Sequence, residues 1–381
     1  MSPNQNKRTK PVTLKDIAAY CGLGKSIVSY ALRGDDCVKP STKARILAAA
    51  AELGYDPQAQ DAARRLVGYR IHKRMLNKMI AMVLGKNFYQ GNYFGQMFRG
   101  VMDVLLPAGY DVVILHPMDS DVNPVLSSPS IRRGDIDGII TFSPGDLQEK
   151  DIIELRKHVS FRDRPIISLI NPMATCSSVT IDDQKGVESA MTHLISLGHK
   201  HILQFVCTWA PTCEQRIQGA KNAYLTACMD PGKYLHHALV DHEWIGIDTP
   251  LKEGIAITFN PFDQNPHADT LVNYLREHPE ITAIMAWNDN SAYHAWYQLK
   301  QAGVKIPEDI SVIGYDDTDP ILNSEKQNIL TSVQLPLIGV GNEAARMIME
   351  QLNNEQTEEE HVKLPTELIV RETTGRVKRE E

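Results

Sequence analysis

Four side chains in one short stretch, Lys25, Ser26, Ser29 and Tyr30, carry groups suited to the edges of bases and the oxygens of phosphates. They stand off the apolar stripe Ile27, Val28, Ala31 and Leu32, whose spacing predicts a short helix. Ahead of them Leu14, Ile17 and Ala18 recur at helical spacing, and Cys21-Gly22-Leu23 breaks the pattern with a glycine that takes positive φ at little cost. Two short helices joined by such a turn form a helix-turn-helix, whose second helix enters the major groove. The same pattern also fits an ordinary αα-corner, so this stretch alone does not decide.

The elements around it tip the balance. Val38-Lys39-Pro40-Ser41-Thr42 opens a third helix, Lys43–Leu53, with Pro in the first turn and Ser41 as its expected cap. Gly54-Tyr55-Asp56-Pro57 closes it. Charge follows the same division. Residues 1–78 hold 15 Lys and Arg against 6 Asp and Glu, a balance of +9, and the rest holds 25 against 41, a balance of −16. A basic end on a helix-turn-helix pattern implies a polyanion partner, and the acidic remainder a separately soluble body.

With 381 residues the chain is expected to make two or three domains, and 43% hydrophobic with 23% charged residues is an ordinary globular composition. No apolar run has the length of a membrane span, and Met1–Lys10 is polar and basic, so the expected location is the cytoplasm, with no membrane partner. Six cysteines without CxxC spacing point to reduced, packing thiols rather than a disulfide framework.

From Met79 onward apolar runs alternate with amphipathic segments. Strands are expected at Met79–Leu84, Asp111–Leu115, Ile136–Thr141, Pro165–Ile170, Ile202–Val206, Ala283–Ala286 and Ile310–Tyr315. Helices are expected at Phe94–Leu106, Asp151–His158, Gly186–Leu197, Arg216–Cys228, Ala268–Glu277, Asn290–Ala302 and Leu337–Leu352. The alternation implies two α/β halves with parallel sheets and a ligand between them at the strand C-termini.

Catalytic signals are absent from the sequence. It has no G-x-S-x-G elbow and no Walker loop. His236, His237 and His242 lack a cysteine partner or a helical i,i+4 pair and read as a surface loop. No catalytic residue, metal or cofactor is expected, and the chain does not read as an enzyme.

Several motifs then become specific together. Pro11–Ala18, Val28-Ser29 and Glu52–Pro57 resemble the headpiece of the lactose-repressor (LacI/GalR) family of bacterial transcription regulators. His193–Lys200, Arg216–Gly219, Pro307–Asp317 (PEDISVIGYDD) and Leu364–Thr374 (LPTELIVRETT) continue the resemblance in order over nearly the whole chain. It implies a small all-α helix-turn-helix headpiece plus a two-lobed α/β effector domain of the periplasmic-binding-protein-like (type I) kind. The expected division is a headpiece at 1–57, a hinge helix and basic linker at 58–78, and an effector-binding and dimerisation domain at 79–381.

The resemblance also assigns residues. Lys25, Ser26 and Tyr30 fall on base-reading positions, while Thr13 and Ser29 fall on phosphate contacts. In the hinge, Leu66 falls on the wedge that enters the minor groove, with Arg64 and Arg65 beside phosphates. Arg216, Asn288 and Asp316 match positions in the effector cleft, joined by Tyr93, Phe94, Ser143 and Asn171. Guanidinium, amide and carboxylate groups together suit a hydroxyl-rich ligand.

The sequence also departs from the family. Two extra residues lie between Pro57 and Leu66, Tyr30 stands where arginine is common, and Ile170 stands where sugar-responsive relatives carry an acidic residue. Residues 229–267 are longer than usual. The function implied is a ligand-responsive repressor that binds a palindromic double-stranded DNA operator as a homodimer, with a sugar or sugar derivative as effector. Its rivals are a small-molecule-binding protein with a silent headpiece and a purine-type, corepressor-dependent regulator.

Overall fold

The computed structural model describes residues 12–32, 38–55, 76–84, 92–116, 124–142, 147–158, 161–207, 210–241, 255–258, 270–354 and 359–378. The chain divides into two compact units, Met1–Asn77 and Lys78–Glu381. Leu66, Arg64, Arg65 and Ser143 lie outside the described residues, as do most of the expected hinge and much of the 229–267 insertion.

Among its described residues the first unit has the helices α1 (Leu14–Cys21), α2 (Lys25–Leu32) and α3 (Pro40–Glu52). The Asp16 carboxylate accepts from both the Thr13 backbone N–H and the Thr13 hydroxyl at 2.7 Å, which fixes the start of α1. Gly22, at φ 62°, ends it and donates its N–H back to the last turn. Ile17, Ala18, Val28, Ala31, Val38, Ile46, Ala49 and Ala50 meet in one core.

Two details differ from expectation. Ile27 is 41% exposed, because Val28 and Ala31, with Leu32 packed beside them, fill the seam facing α1 and α3. The third helix begins at Pro40 with Lys39 as its N-cap, which puts Ser41 inside the first turn rather than at the cap.

The second unit runs β1 (Met79–Val83), α4 (Asn92–Leu105), β2 (Asp111–Leu115), α5 (Pro129–Arg133), β3 (Gly138–Thr141), α6 (Glu149–Lys157), β4 (Ile166–Leu169) and β5 (Ser177–Ile181). It continues with α7 (Asp183–Ser196), β6 (His201–Val206), α8 (Cys213–Thr226), α9 (Pro231–Tyr234), β7 (Leu235–Asp241), β8 (Ile255–Thr258), α10 (Thr270–Glu277), β9 (Ile281–Met285) and α11 (Asp289–Gln301). Its last elements are β10 (Ser311–Asp316), β11 (Thr331–Gln334), α12 (Leu337–Asn354), β12 (His361–Leu364) and β13 (Glu367–Ile369). One sheet has the order β12-β5-β4-β3-β1-β2 and the other β13-β11-β10-β9-β6-β7-β8. Among the described strands all pairings are parallel except β11 with β13.

The chain crosses between the sheets three times, from β5 into α7, from β11 into α12, and from β12 into β13. Three separate crossings tie the two lobes at one side and leave the strand C-termini facing a common cleft. One hydrophobic core runs through both lobes, from Ile80, Met82 and Met97 to Ile202, Met285 and Tyr315. The outer face of each sheet has its own smaller core.

At the crossing of α4 and α12, a Cβ on Gly100 would strike the Ile338 carbonyl oxygen, and one on Gly341 would strike that of Met97. Two helix backbones approach there as closely as glycine permits.

Strand order reverses at β1, which lies between β2 and β3, and again at β6, which lies between β7 and β9. Beyond the strand ends at such a reversal the following loops diverge to opposite faces and leave a crevice. The C-terminal ends of β1, β6 and β9 therefore border that crevice.

Candidate functional site

Arg216 sits at the centre of the cleft group. It lies in the first turns of α8, after β6, and is 7% exposed. Its Nε donates to Asp183 Oδ1 at 2.8 Å and its Nη1 to the Trp287 carbonyl at 2.6 Å. The guanidinium lies between two rings, 3.8 Å from the Tyr315 centroid and 4.1 Å from that of Trp287. Such a sandwich holds a planar cation flat while leaving its edge for a ligand. Among the described residues, Nη2 has no hydrogen-bond partner.

Asp183 is the first residue of α7, placed by the Asp182 N-cap, and it also accepts from the Tyr315 hydroxyl at 3.0 Å. Burial alone would lower the Arg216 pKa, but Asp183, Tyr315, Asp316 and Tyr93 outweigh it and hold the guanidinium charged.

Asp316 ends β10 with φ at 97°, a strained conformation for a residue with a side chain. Burial pushes its carboxyl well above the usual range, Arg216 opposes that, and Asp289 and Asp183 reinforce it. Among the described residues no group donates to this carboxyl. Asp317 beside it is already committed, forming two bonds with Arg371 at 2.7 and 3.0 Å.

Asp289 lies behind them, 1% exposed, accepting from Ser332 Oγ, from the Thr318 N–H at 2.7 Å and from the Asp319 N–H at 3.3 Å. It organises the loop after β10. Desolvation by burial pushes its pKa up to about 7, although those three donors pull the other way.

The other lobe contributes the start of α4. Tyr93 and Phe94 meet edge-to-face at 5.2 Å, both half-buried. Burial and the nearby Asp316 raise the Tyr93 hydroxyl, which places that ring beside the Arg216 group. Asn92 Nδ2 donates to the Thr318 carbonyl at 3.3 Å and so bridges the lobes at the same place.

Asn288 is the N-cap of α11: its Oδ1 accepts from the Ser291 N–H at 2.9 Å, which leaves only the amide nitrogen for a ligand. Asn171 follows β4, half-buried, and among the described residues its side chain has no contact with the Arg216 group.

Asp183, Trp287, Tyr315 and Asp289 did not emerge from the sequence. Asp183 had a usable signal: Asp182-Asp183 precedes the expected helix at Gly186, and acidic residues favour a helix N-terminus. Trp287 and Tyr315 read as ordinary apolar residues at strand ends.

In the first unit Lys25, Ser26 and Tyr30 are exposed on α2, Ser29 is half-buried, and Thr13 is exposed at the start of α1. The side chains expected to read bases thus share the solvent side of a helix whose other side is core. His236 and His237, expected in a loop, are instead consecutive residues of β7.

Two family models match this chain. The model of bacterial regulatory proteins of the lacI family covers residues 13–58, and that of a periplasmic binding protein-like domain covers residues 191–374. The chain belongs to the LacI family. The transcriptional regulator CelR of Thermobifida fusca is 26% identical over 373 residues, 96% of this chain and 99% of that protein. A solved CelR–cellobiose complex matches 95% of this chain and 99% of its own at TM-score 0.58 and 23% identity. The lac repressor dimer bound to operator and an anti-inducer matches 96% of this chain and 100% of its own at TM-score 0.62 and 20% identity. Membership of the LacI family makes this a transcription regulator with a DNA-binding headpiece and a ligand-responsive body. Among the described residues no helix is long and apolar enough to cross a membrane.

Proposed function

We propose that this regulator is a cytoplasmic repressor without catalytic activity that binds a near-palindromic operator as a homodimer and responds to a hydroxyl-rich effector of the sugar class. The observation that carries the effector reading is the Arg216 guanidinium, fixed by Asp183 and two aromatic faces, with Asp316 close by and lacking a donor. A charged donor and an acceptor, fixed before binding, suit vicinal hydroxyls, and Tyr93 and Trp287 supply the apolar wall that a sugar ring stacks on. The cellobiose held by the CelR structure supports this class.

In this reading the effector touches α4 in one lobe and α8, β10 and the residue before α11 in the other. It favours whichever lobe arrangement fits it, and only that difference in affinity moves the equilibrium. Headpiece spacing across the dimer then changes grip on two half-sites about 34 Å apart. Lys25 reads guanine, Ser26 and Tyr30 read neighbouring bases, and Thr13 and Ser29 set register on phosphates. Leu66, flanked by Arg64 and Arg65, is proposed as the minor-groove wedge. Phe94, Ser143, Asn171 and Asn288 remain proposed lining residues. The proposed division keeps the headpiece at 1–57, the hinge and linker at 58–78 and the effector domain at 79–381.

The test is a thermal-shift screen of the full chain with sugars, sugar phosphates and purines, followed by operator gel shifts with each hit. A sugar that raises the melting temperature and changes operator affinity supports the reading. Stabilisation by purines alone would replace the effector class, and stabilisation without any change in operator affinity would remove the coupling.

A further inference from the structure

At the opposite ends of the strands from the cleft, three neighbours in the second sheet bring imidazoles and a carboxylate together. His201 is the first residue of β6, His236 the second of β7, and Glu280 immediately precedes β9, in the sheet order β7-β6-β9. His201 Nδ1 and His236 Nε2 face each other at 3.0 Å. The ligand atoms of all three residues lie within 4.8 Å of one another. We propose that His201, His236 and Glu280 bind a divalent transition-metal ion of the zinc type, which clamps the starting ends of β7, β6 and β9.

The geometry is close to what such an ion requires. Zinc–nitrogen bonds of about 2.0–2.1 Å in a tetrahedron set neighbouring nitrogens about 3.3 Å apart, so the two imidazoles need only open by a few tenths of an ångström. His278 Nδ1 lies 3.1 Å from Glu280 Oε1 and orients that carboxylate from behind, in the manner of an outer-shell partner. Tyr234 packs edge-on against His201 at 5.0 Å and Tyr274 against His278 at 4.3 Å, so the rings on both sides are braced. Both imidazole ligands are half-buried while Glu280 is exposed, which leaves the remaining coordination to water.

Two imidazoles with one carboxylate favour zinc, cobalt, nickel or copper over magnesium or calcium. The ligands come from three separate segments, so the ion closes the long stretch between His236 and Glu280 into a loop, and such closure stabilises the folded chain.

The experiment uses the full chain, stripped with a chelator and dialysed, titrated with zinc chloride against a chromophoric zinc indicator, with magnesium chloride as control. One zinc ion per chain is expected, with a higher melting temperature, and no response to magnesium. His201→Gln and His236→Gln should weaken zinc at least ~10–100-fold, and His278→Gln by a smaller factor. His237→Gln is the control: His237 is next in β7, so its side chain points to the other face of the sheet, and zinc affinity should not change.

Should either ligand variant fold poorly, cobalt loaded into the unmodified chain still reports the ligands through its visible absorption, which nitrogen ligation in a four-coordinate site makes intense. Zinc affinity unchanged in both His201→Gln and His236→Gln, or a cobalt spectrum identical to that of the free aquo ion, overturns the proposal. The effector and DNA readings do not bear on this outcome, because none of these residues lines the cleft or belongs to the headpiece.

Discussion

Arg216 is fixed by its own donors before any ligand is considered. Its Nε ties α8 to α7 and its Nη1 ties α8 to the Trp287 carbonyl just after β9, and in the proposed reading the remaining edge meets the effector. Truncation to Ala would strand Asp183 without its cation, a loss of the order of 3–5 kcal/mol for a buried pair. Arg216→Lys is the cleaner probe, since it keeps the charge and loses the planar, stacked fork. It should weaken effector binding at least ~10-fold, the equivalent of about 1.4 kcal/mol, while operator affinity without effector stays unchanged, as read by calorimetry and gel shift. Asp289 makes a second prediction at this scale. Its pKa rises from 3.8 to about 7 on folding. Below about pH 4 both states carry the proton, and as pH rises towards 7 the unfolded chain releases it first, so stability falls across that window. Asp289→Asn removes this contribution, and its melting temperature should vary less between pH 5 and about 7 than that of the unmodified chain. On the headpiece, Tyr30→Ala should change which operator variants bind best, measured by selection from a randomised duplex pool, with a cost of about 1–3 kcal/mol on the preferred site.

Among the elements, the α4–α12 crossing most directly links sequence to packing. Gly100 and Gly341 face the carbonyls of the opposite helix, so even a methyl group forces the backbones apart. Gly100→Ala should lower stability by about 1–3 kcal/mol by overpacking, measured by denaturant unfolding, and Tyr93 on the same helix should shift with it. In the second sheet the strand ends carry the proposed effector residues and the strand beginnings the histidine group, so that sheet presents two different chemical edges. Element types were largely legible from periodicity, as at Asp111–Leu115, where expected and observed strands coincide. β5, β7, β8, β11, β12 and β13 were not among the expected strands, and for β5 and β7 the reason is physical. Ser177-Ser178-Val179-Thr180-Ile181 and Leu235–Asp241 carry polar or imidazole side chains that break the apolar run, and these strands are completed by neighbours far away in sequence.

For the whole molecule, the charge division makes the clearest prediction. A headpiece region at +9 on an acidic body should bind DNA with an affinity that falls steeply with salt, each phosphate contact adding about 0.9 to the logarithmic slope. A gel-shift titration across salt should show that slope for operator and for random duplex, with operator remaining the tighter of the two. Equal affinity for both at every salt would make the headpiece a non-specific anchor. The amino-acid sequence by itself determined the three-helix reader, the alternation of strands and helices, and the family to which the order of motifs belongs. Helical and strand periods, turn residues and charge are local properties, and they survive without knowledge of distant contacts. Only the tertiary structure decided that Asp183 grips Arg216, that Trp287 and Tyr315 sandwich it, that Asn288 spends its oxygen on a helix cap, and that His201, His236 and Glu280 converge. Each of these depends on which strands lie side by side, and that is set by the packing of segments that share no pattern in the chain.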